Sequence, residues 1–361
     1  MTVLSAQTPK HGGDVYQLAR DLGVEVKNLL DFSANINPLG FPPGVLAAVQ
    51  EALKEIGHYP DRQCLDLRRD LAAYHHLTPD EILLGNGSTE LIYLVARALK
   101  LKKALIVAPA FSEYETALKV AQVPVDFHLT AEADNFTLNK APDLGGADLV
   151  FLANPASPSG ALLPAARLLP LVAALDAAGA YLLLDEAFID FVEEASLKAH
   201  LGRFPRLLIL RSFTKFFGIP GMRLGYLLAA PAVIAQLAQA QEPWSVNTMA
   251  QAMGRACLRD GDFMARSRSL IVAERAYLFE RLAVLNGCRP FAGVVNYLLV
   301  KLTRPGLTAA KLRKAMLAHH VLIRDASNFR GLDDRFFRLA VRSRQENDRL
   351  LAALEQCLQG D

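Results

Sequence analysis

Apolar residues recur along the chain at two spacings, and the spacings alternate. Between Pro43 and Ile56, the residues Val45, Leu46, Val49 and Leu53 fall at helical spacing, which predicts an amphipathic helix burying these four. Leu65 to Tyr74 repeats the pattern. Glu81-Ile82-Leu83-Leu84 is a short strand that ends in the glycine-bearing turn Gly85 to Glu90, with a helix predicted from about Glu90 to Leu99. Further strands are predicted at Ala104 to Val107, Pro124 to His128, Leu149 to Leu152, Tyr181 to Leu184 and Leu207 to Leu210. Helices are predicted after Pro109 and over Ala165 to Ala177. Strands alternating with helices in this way build a mostly parallel sheet covered on both faces, an α/β fold.

The pattern changes near Pro231. Two long helices are predicted, Ala232 to Leu258 and Ala265 to Leu285. A strand (Val294 to Lys301), a helix (Ala309 to His319), a strand pair (Val321 to Arg324 and Phe336 to Val341) and a last helix (Glu346 to Leu358) follow. That order predicts a smaller α+β domain over residues 241–361, after a large domain over residues 43–240.

Composition narrows the classes. Of 361 residues, 52% are hydrophobic and 21% charged, enough for a large core. Lys plus Arg is 39 against 37 Asp plus Glu, a balance that argues against nucleic acid as a partner. Cys64, Cys257, Cys288 and Cys357 are scattered, without zinc spacing, so reduced thiols in a cytoplasmic protein and no metal site are expected. The pairs His75-His76 and His319-His320 are read as surface or helix-end residues. The N-terminus lacks the charged and apolar regions of a signal peptide. The most apolar stretch, Leu171 to Leu184, is interrupted by Asp176 and too short to span a bilayer, so no membrane contact is expected.

Three places carry candidate chemistry. Lys215 follows a predicted strand among Phe213, Phe216 and Phe217, with Ser212 and Thr214 beside it and Arg223 eight residues on. A lysine in apolar surroundings near another cation has a lowered pKa and forms imines; the hydroxyls and the arginine suit a phosphate monoester. Asp185 ends a strand of apolar residues, where carboxylates face a ligand crevice; taken alone it serves equally well as a helix N-cap. Gly87, Ser88 and Thr89 join a strand to a helix and offer free amides to an anion.

In order, the chain presents GNGSTE, PAFSEY, NPASPSG, DEAF and SFTKFFGIPGMRLGY. This series resembles the class I/II aminotransferases, fold-type-I enzymes that use pyridoxal 5′-phosphate (PLP), over nearly the whole chain. The resemblance implies that Lys215 carries the cofactor covalently and that Asp185 pairs with its pyridine nitrogen. It implies that Asn154 binds the ring's 3′ oxygen and that Phe111 stacks on the ring. Gly87, Ser88, Thr89, Ser212, Thr214 and Arg223 would hold the phosphate. Tyr59 would reach the cofactor of a neighbouring subunit, which implies a homodimer, and Arg338 would bind a substrate anion. An N-terminal arm, residues 1–42, would pack with the small domain. Phe188 stands where many relatives have tyrosine, so one hydroxyl near the 3′ oxygen is missing.

Three more stretches, His11-Gly12-Gly13, Asp31 to Gly40 and Val341 to Asn347, narrow the resemblance. With DEAFIDF they are similar to a branch that decarboxylates small phosphorylated amino acids, with the sister histidinol-phosphate aminotransferases as the alternative. His11, Ser33, Asn35, Arg324 and Arg338 are candidates for holding the substrate, with Arg342 and Arg344 as further cations. Threonine phosphate and serine phosphate differ by one methyl group, worth about 1–3 kcal/mol in a pocket, and both remain open. A non-catalytic relative of the family is disfavoured by the retained Lys215 and Asp185.

Overall fold

The computed structural model describes residues 11–359. The leaderless N-terminus expected above falls mostly on residues 1–10, outside the described residues. The strands, in chain order, are β1 (Leu30–Asp31), β2 (Ile82–Asn86), β3 (Ala104–Ala108), β4 (Val125–Leu129), β5 (Leu149–Ala153), β6 (Tyr181–Asp185), β7 (Leu207–Ser212), β8 (Leu224–Leu228), β9 (Cys288–Pro290), β10 (Tyr297–Leu302), β11 (Val321–Leu322), β12 (Arg324–Asp325) and β13 (Phe336–Ala340).

Seven of them form one sheet in the order β2-β8-β7-β6-β5-β3-β4. Only β8 runs against its neighbours; the other pairs are parallel. The continuous apolar runs follow from this position. Along β7, Leu207 and Ile209 enter the core on one face, while Leu208 and Leu210 enter the core on the other. A strand buried on both faces has no polar alternation to show.

The second sheet is antiparallel, in the order β12-β13-β10-β9. The early strand β1 lies parallel to β11, and Leu18, Ala19 and Leu29 share a small core with Leu317 and Leu322. The N-terminal segment is thereby tied to the C-terminal one.

Some expectations fail. The helix predicted over Ala232 to Leu258 is two helices, Pro231–Ala240 and Thr248–Leu258. Gln241 is extended, Pro243 supplies no N–H to a helix, and Trp244 has φ 59°, so the chain turns there. The helix Gly44–Ala52 buries Val45 against Thr248–Leu258 but leaves Leu46 and Leu53 59% and 49% exposed, against the four-residue face expected. The helix predicted from Glu90 begins at Gly87. His75 does end a helix, Leu65–His75, but it is buried, not on the surface. Its Nε2 lies 2.8 Å from the Tyr226 hydroxyl, and burial, reinforced by Arg211 and Lys198, drives its pKa far down.

Candidate active site

The carboxyl ends of β5, β6 and β7 open into a cavity of 280 Å³, the position where doubly wound sheets bind ligands. The chain leaves β7 through Ser212, whose Oγ accepts the Thr214 amide at 3.3 Å and caps the single turn Phe213–Phe216. That turn sends Lys215 into the cavity. Burial lowers its pKa to about 8, with Arg338 and Arg223 adding to the shift and Asp31 and Asp185 opposing it. Among the described residues, no hydrogen bond or ion pair holds the Lys215 ammonium.

Asp185, the last residue of β6, faces the same space. Its Oδ1 accepts the Ala187 amide at 2.9 Å, and its Oδ2 accepts the Tyr114 hydroxyl. Burial raises the carboxyl pKa, while Tyr114, Ala187 and Lys215 hold it back. A carboxylate buried here gains from a cation placed against it.

At another corner Gly87 opens the helix Gly87–Ala98, and Ser88, Thr89, Ser212, Thr214 and Arg223 line the cavity. Gly87 has φ +79°, and a Cβ there would lie 2.4 Å from Arg223 Nη2. Glycine is thus required twice over, by its backbone and by the guanidinium behind it. A helix N-terminus, four hydroxyls and an arginine make a dianion site. Phe111 forms a wall, its ring edge-on to Tyr114 at 5.9 Å.

The far side carries the arginines. Arg338 lies over the Tyr297 ring at 5.1 Å, with its Nε buried and unpartnered and no carboxylate among the described residues paired with it. Arg324 donates to Asn328 Oδ1 at 2.8 Å and to the Asp325 carbonyl, and burial lowers its pKa to about 10. Ser33 and Asn35 are buried at the rim; Asn35 Oδ1 has no partner, and Ser33 accepts the Gly13 amide at 2.8 Å. His11 is 3.0 Å from Glu113 and leans on Phe111, at 5.6 Å between ring centres.

The structure does not gather every expected residue. Asn154 is buried with its amide used twice by Leu163: Nδ2 donates to the carbonyl at 3.0 Å and Oδ1 accepts the N–H at 2.8 Å. It does not line the cavity; Ser157, from the same turn, does. Tyr59 lies outside the cavity, exposed and stacked on Trp244 at 4.6 Å. Arg342 is held by Glu346 and Arg344 by Glu274, so neither reaches the site. Sequence reasoning missed Tyr114, Ser157, Asn328 and Phe329, all of which line it. Tyr114 had a signal: it lies one helical turn after Phe111 in PAFSEY.

A reactive amine, a buried carboxylate, an aromatic wall and a dianion corner meet in one cavity. The sequence model of the family "Aminotransferase class I and II" matches residues 27–354. The chain belongs to this family. It is 40% identical to the threonine-phosphate decarboxylase of Salmonella typhimurium (strain LT2), over 97% of each chain. Among solved structures it resembles the L-threonine-O-3-phosphate decarboxylase of Porphyromonas gingivalis (TM-score 0.83, 30% identity, 91% of this chain and 99% of that one). It is as similar to the histidinol-phosphate aminotransferase of Clostridium acetobutylicum (TM-score 0.84, 32% identity, 90% and 98%). The cofactor of this aminotransferase-family enzyme is PLP, and the residues gathered here fit it. Lys215 suits the aldehyde, Asp185 the pyridinium and the Gly87–Arg223 corner the phosphate.

Proposed function

We propose that this enzyme decarboxylates L-threonine O-3-phosphate to (R)-1-amino-2-propanol O-2-phosphate and CO2 in cobalamin biosynthesis. The observation that carries the reading is Arg338. Its guanidinium faces the Lys215 cavity with a buried, unpartnered Nε, beside a second arginine, Arg324. Two cations opposite the cofactor's phosphate corner match a short substrate with two anionic ends.

The chemistry supplied at this site, with PLP bound, would be an electron sink for the pair left at Cα on loss of the carboxylate. The chain's own residues decide which bond that is. Arg338 and Arg324 would hold the substrate's anionic ends and so fix the rotation about its Cα–N bond, which selects the carboxylate as the group that leaves. Asp185 would pair its negative charge with the protonated pyridine nitrogen. Lys215, with its pKa lowered to about 8, is present near neutrality as both amine and ammonium, and the ammonium Nζ would supply the proton that replaces the departed carboxylate at Cα. Phe111 and Phe188 keep water from the reacting face.

The same proposal includes a homodimer in which Tyr59 reaches the partner's cofactor phosphate, and a cytoplasmic location. No described helix is long and apolar enough to cross a membrane. It also divides the chain into an arm (1–42), a large domain (43–240) and a small domain (241–361). The two separate sheets and the β1–β11 pairing support that division.

The test is incubation of the purified holoenzyme with threonine phosphate, serine phosphate and histidinol phosphate in turn. CO2 release from threonine phosphate without any keto acid is expected. Amino transfer from histidinol phosphate to 2-oxoglutarate, with no CO2 from either phosphoamino acid, overturns the decarboxylase and establishes the aminotransferase.

A further inference from the structure

Tyr114 is the one side chain whose hydroxyl touches Asp185 among the described residues, and nothing in the sequence motifs assigned it a role. It lies on the helix Ser112–Val120, 1% exposed, with its ring stacked on Phe151 at 5.0 Å and edge-on to Phe111. The stack and the edge contact fix the phenol in two directions. Its hydroxyl is left with one task, donating to Asp185 Oδ2 while the Ala187 amide serves Oδ1.

A buried carboxyl with no donors stays neutral, and a neutral carboxyl supports no pyridinium. Each donor on Asp185 shifts that balance toward the anion. Lys215 shifts it the same way, and the Tyr297 phenol is the other titratable group packed close to both Tyr114 and Asp185. Burial and the Asp185 charge hold the Tyr114 proton on its own oxygen, so the phenol donates without ever transferring.

We propose that Tyr114 is a positioning residue that keeps Asp185 ionised and aimed to pair with the cofactor's ring nitrogen, and that it braces the Phe111 wall through the same ring. The inference rests on the PLP reading above and not on the choice of substrate. Its chemistry is that of a hydrogen bond to a charged group, one of the stronger kinds in a dry site.

The experiment compares wild type, Tyr114→Phe, Asp185→Asn and the double variant, each loaded with PLP. Three readings are taken: turnover, cofactor affinity, and the pH midpoint of the bound cofactor's visible band. Tyr114→Phe keeps the ring and its packing and removes only the hydroxyl. Turnover is expected to fall about 10- to 100-fold with KM little changed, the loss of one charge-assisted hydrogen bond. The band midpoint is expected to rise, because a ring that has lost its supported positive charge makes the Lys215 nitrogen more basic. In the Asp185→Asn background the extra effect of Tyr114→Phe is expected to vanish, since the phenol acts through the carboxylate. A Tyr114→Phe protein that melts lower but keeps the wild-type midpoint and turnover overturns the proposal, as does full additivity with Asp185→Asn. If wild type forms no visible band with PLP, the underlying cofactor reading has failed instead.

Discussion

At the scale of single residues, the site works by holding charges where water would otherwise disperse them. Lys215 is the clearest case. Its ordinary pKa would leave it almost wholly protonated near neutrality, whereas a value of about 8 leaves a useful fraction of free amine. The sign follows directly: capture of the PLP aldehyde needs the neutral amine, so uptake by the apoprotein should speed up as pH rises through about 8 and then level off. Stopped-flow absorbance over a pH series measures this. Uptake that keeps rising towards pH 10 would mean that the lysine is not depressed. Lys215→Ala should fold, bind PLP without the visible band, and lose turnover by several orders of magnitude, roughly the scale of removing a covalent catalyst.

At the scale of elements, the helix Gly87–Ala98 and strand β8 meet at the phosphate corner, and the meeting depends on a missing side chain. Gly87→Ala must adopt φ near +79° and push its Cβ to within 2.4 Å of Arg223 Nη2. The arginine, being the flexible partner, will give way. Cofactor affinity should therefore drop about 10-fold or more, with a loss of stability of about 1–2 kcal/mol from the left-handed backbone. Equilibrium titration with PLP and a melting curve separate the two effects.

Behind that corner, the helix Leu65–His75 is pinned to β8 by His75 and Tyr226. His75 sits among Arg211, Lys198, His76 and Glu193, and its folded pKa is depressed. It therefore contributes stability that is present above its unfolded pKa of about 6.5 and lost as pH falls below it, at about 1.4 kcal/mol per pH unit. Glu186, raised to about 7 by burial, acts in the opposite sense over the same window. These two contributions oppose each other, so the informative quantity is a difference. His75→Gln should become progressively more stable relative to wild type as pH drops from 6.5 to 5, by denaturant titration at each pH. A difference that stays constant with pH would show His75 charged in the folded state.

Much of this was legible in the sequence, for a physical reason. Strands buried on both faces are unbroken apolar runs, so β3, β5, β6 and β7 stood out with their ends nearly right. Lys215, Asp185 and Ser212 could be singled out because they lie at or just after strand ends, and a parallel sheet delivers strand ends to one place; Phe111 was singled out by the family resemblance, and it too lines the cavity. What stayed hidden were details inside turns. NPASPSG offers both Asn154 and Ser157, and only the fold shows that the Leu163 backbone engages the Asn154 amide and that Ser157 also lines the cavity. β8 was hidden because Leu224–Leu228 is a short run inside a glycine-bearing motif. The break at Gln241 to Asn247 was hidden by alanine-rich helices on either side of Pro243.

At the scale of the whole molecule, the misread helix Gly44–Ala52 becomes informative. Leu46, Leu53, Ile56, Tyr59 and Trp244 are all exposed, Ile56 by 64% and Tyr59 by 79%. Tyr59 and Trp244 stack on each other rather than entering the core. Helical spacing demanded a second buried face that this chain alone does not cover, and an exposed apolar stretch of this kind marks an association surface. The proposed homodimer supplies the cover, and it would carry Tyr59 toward the partner's phosphate corner. Placing a charge in that surface should therefore do two things at once. Ile56→Asp, outside the lining of the Lys215 cavity, should halve the mass seen by sedimentation velocity at micromolar concentration. It should also weaken PLP binding, because each site would lose a hydroxyl contributed from the other subunit. Tyr59→Phe should weaken PLP binding alone and leave the mass unchanged. A wild type that sediments as a monomer, or an Ile56→Asp monomer with undiminished PLP affinity, would separate the exposed surface from the site and remove Tyr59 from it.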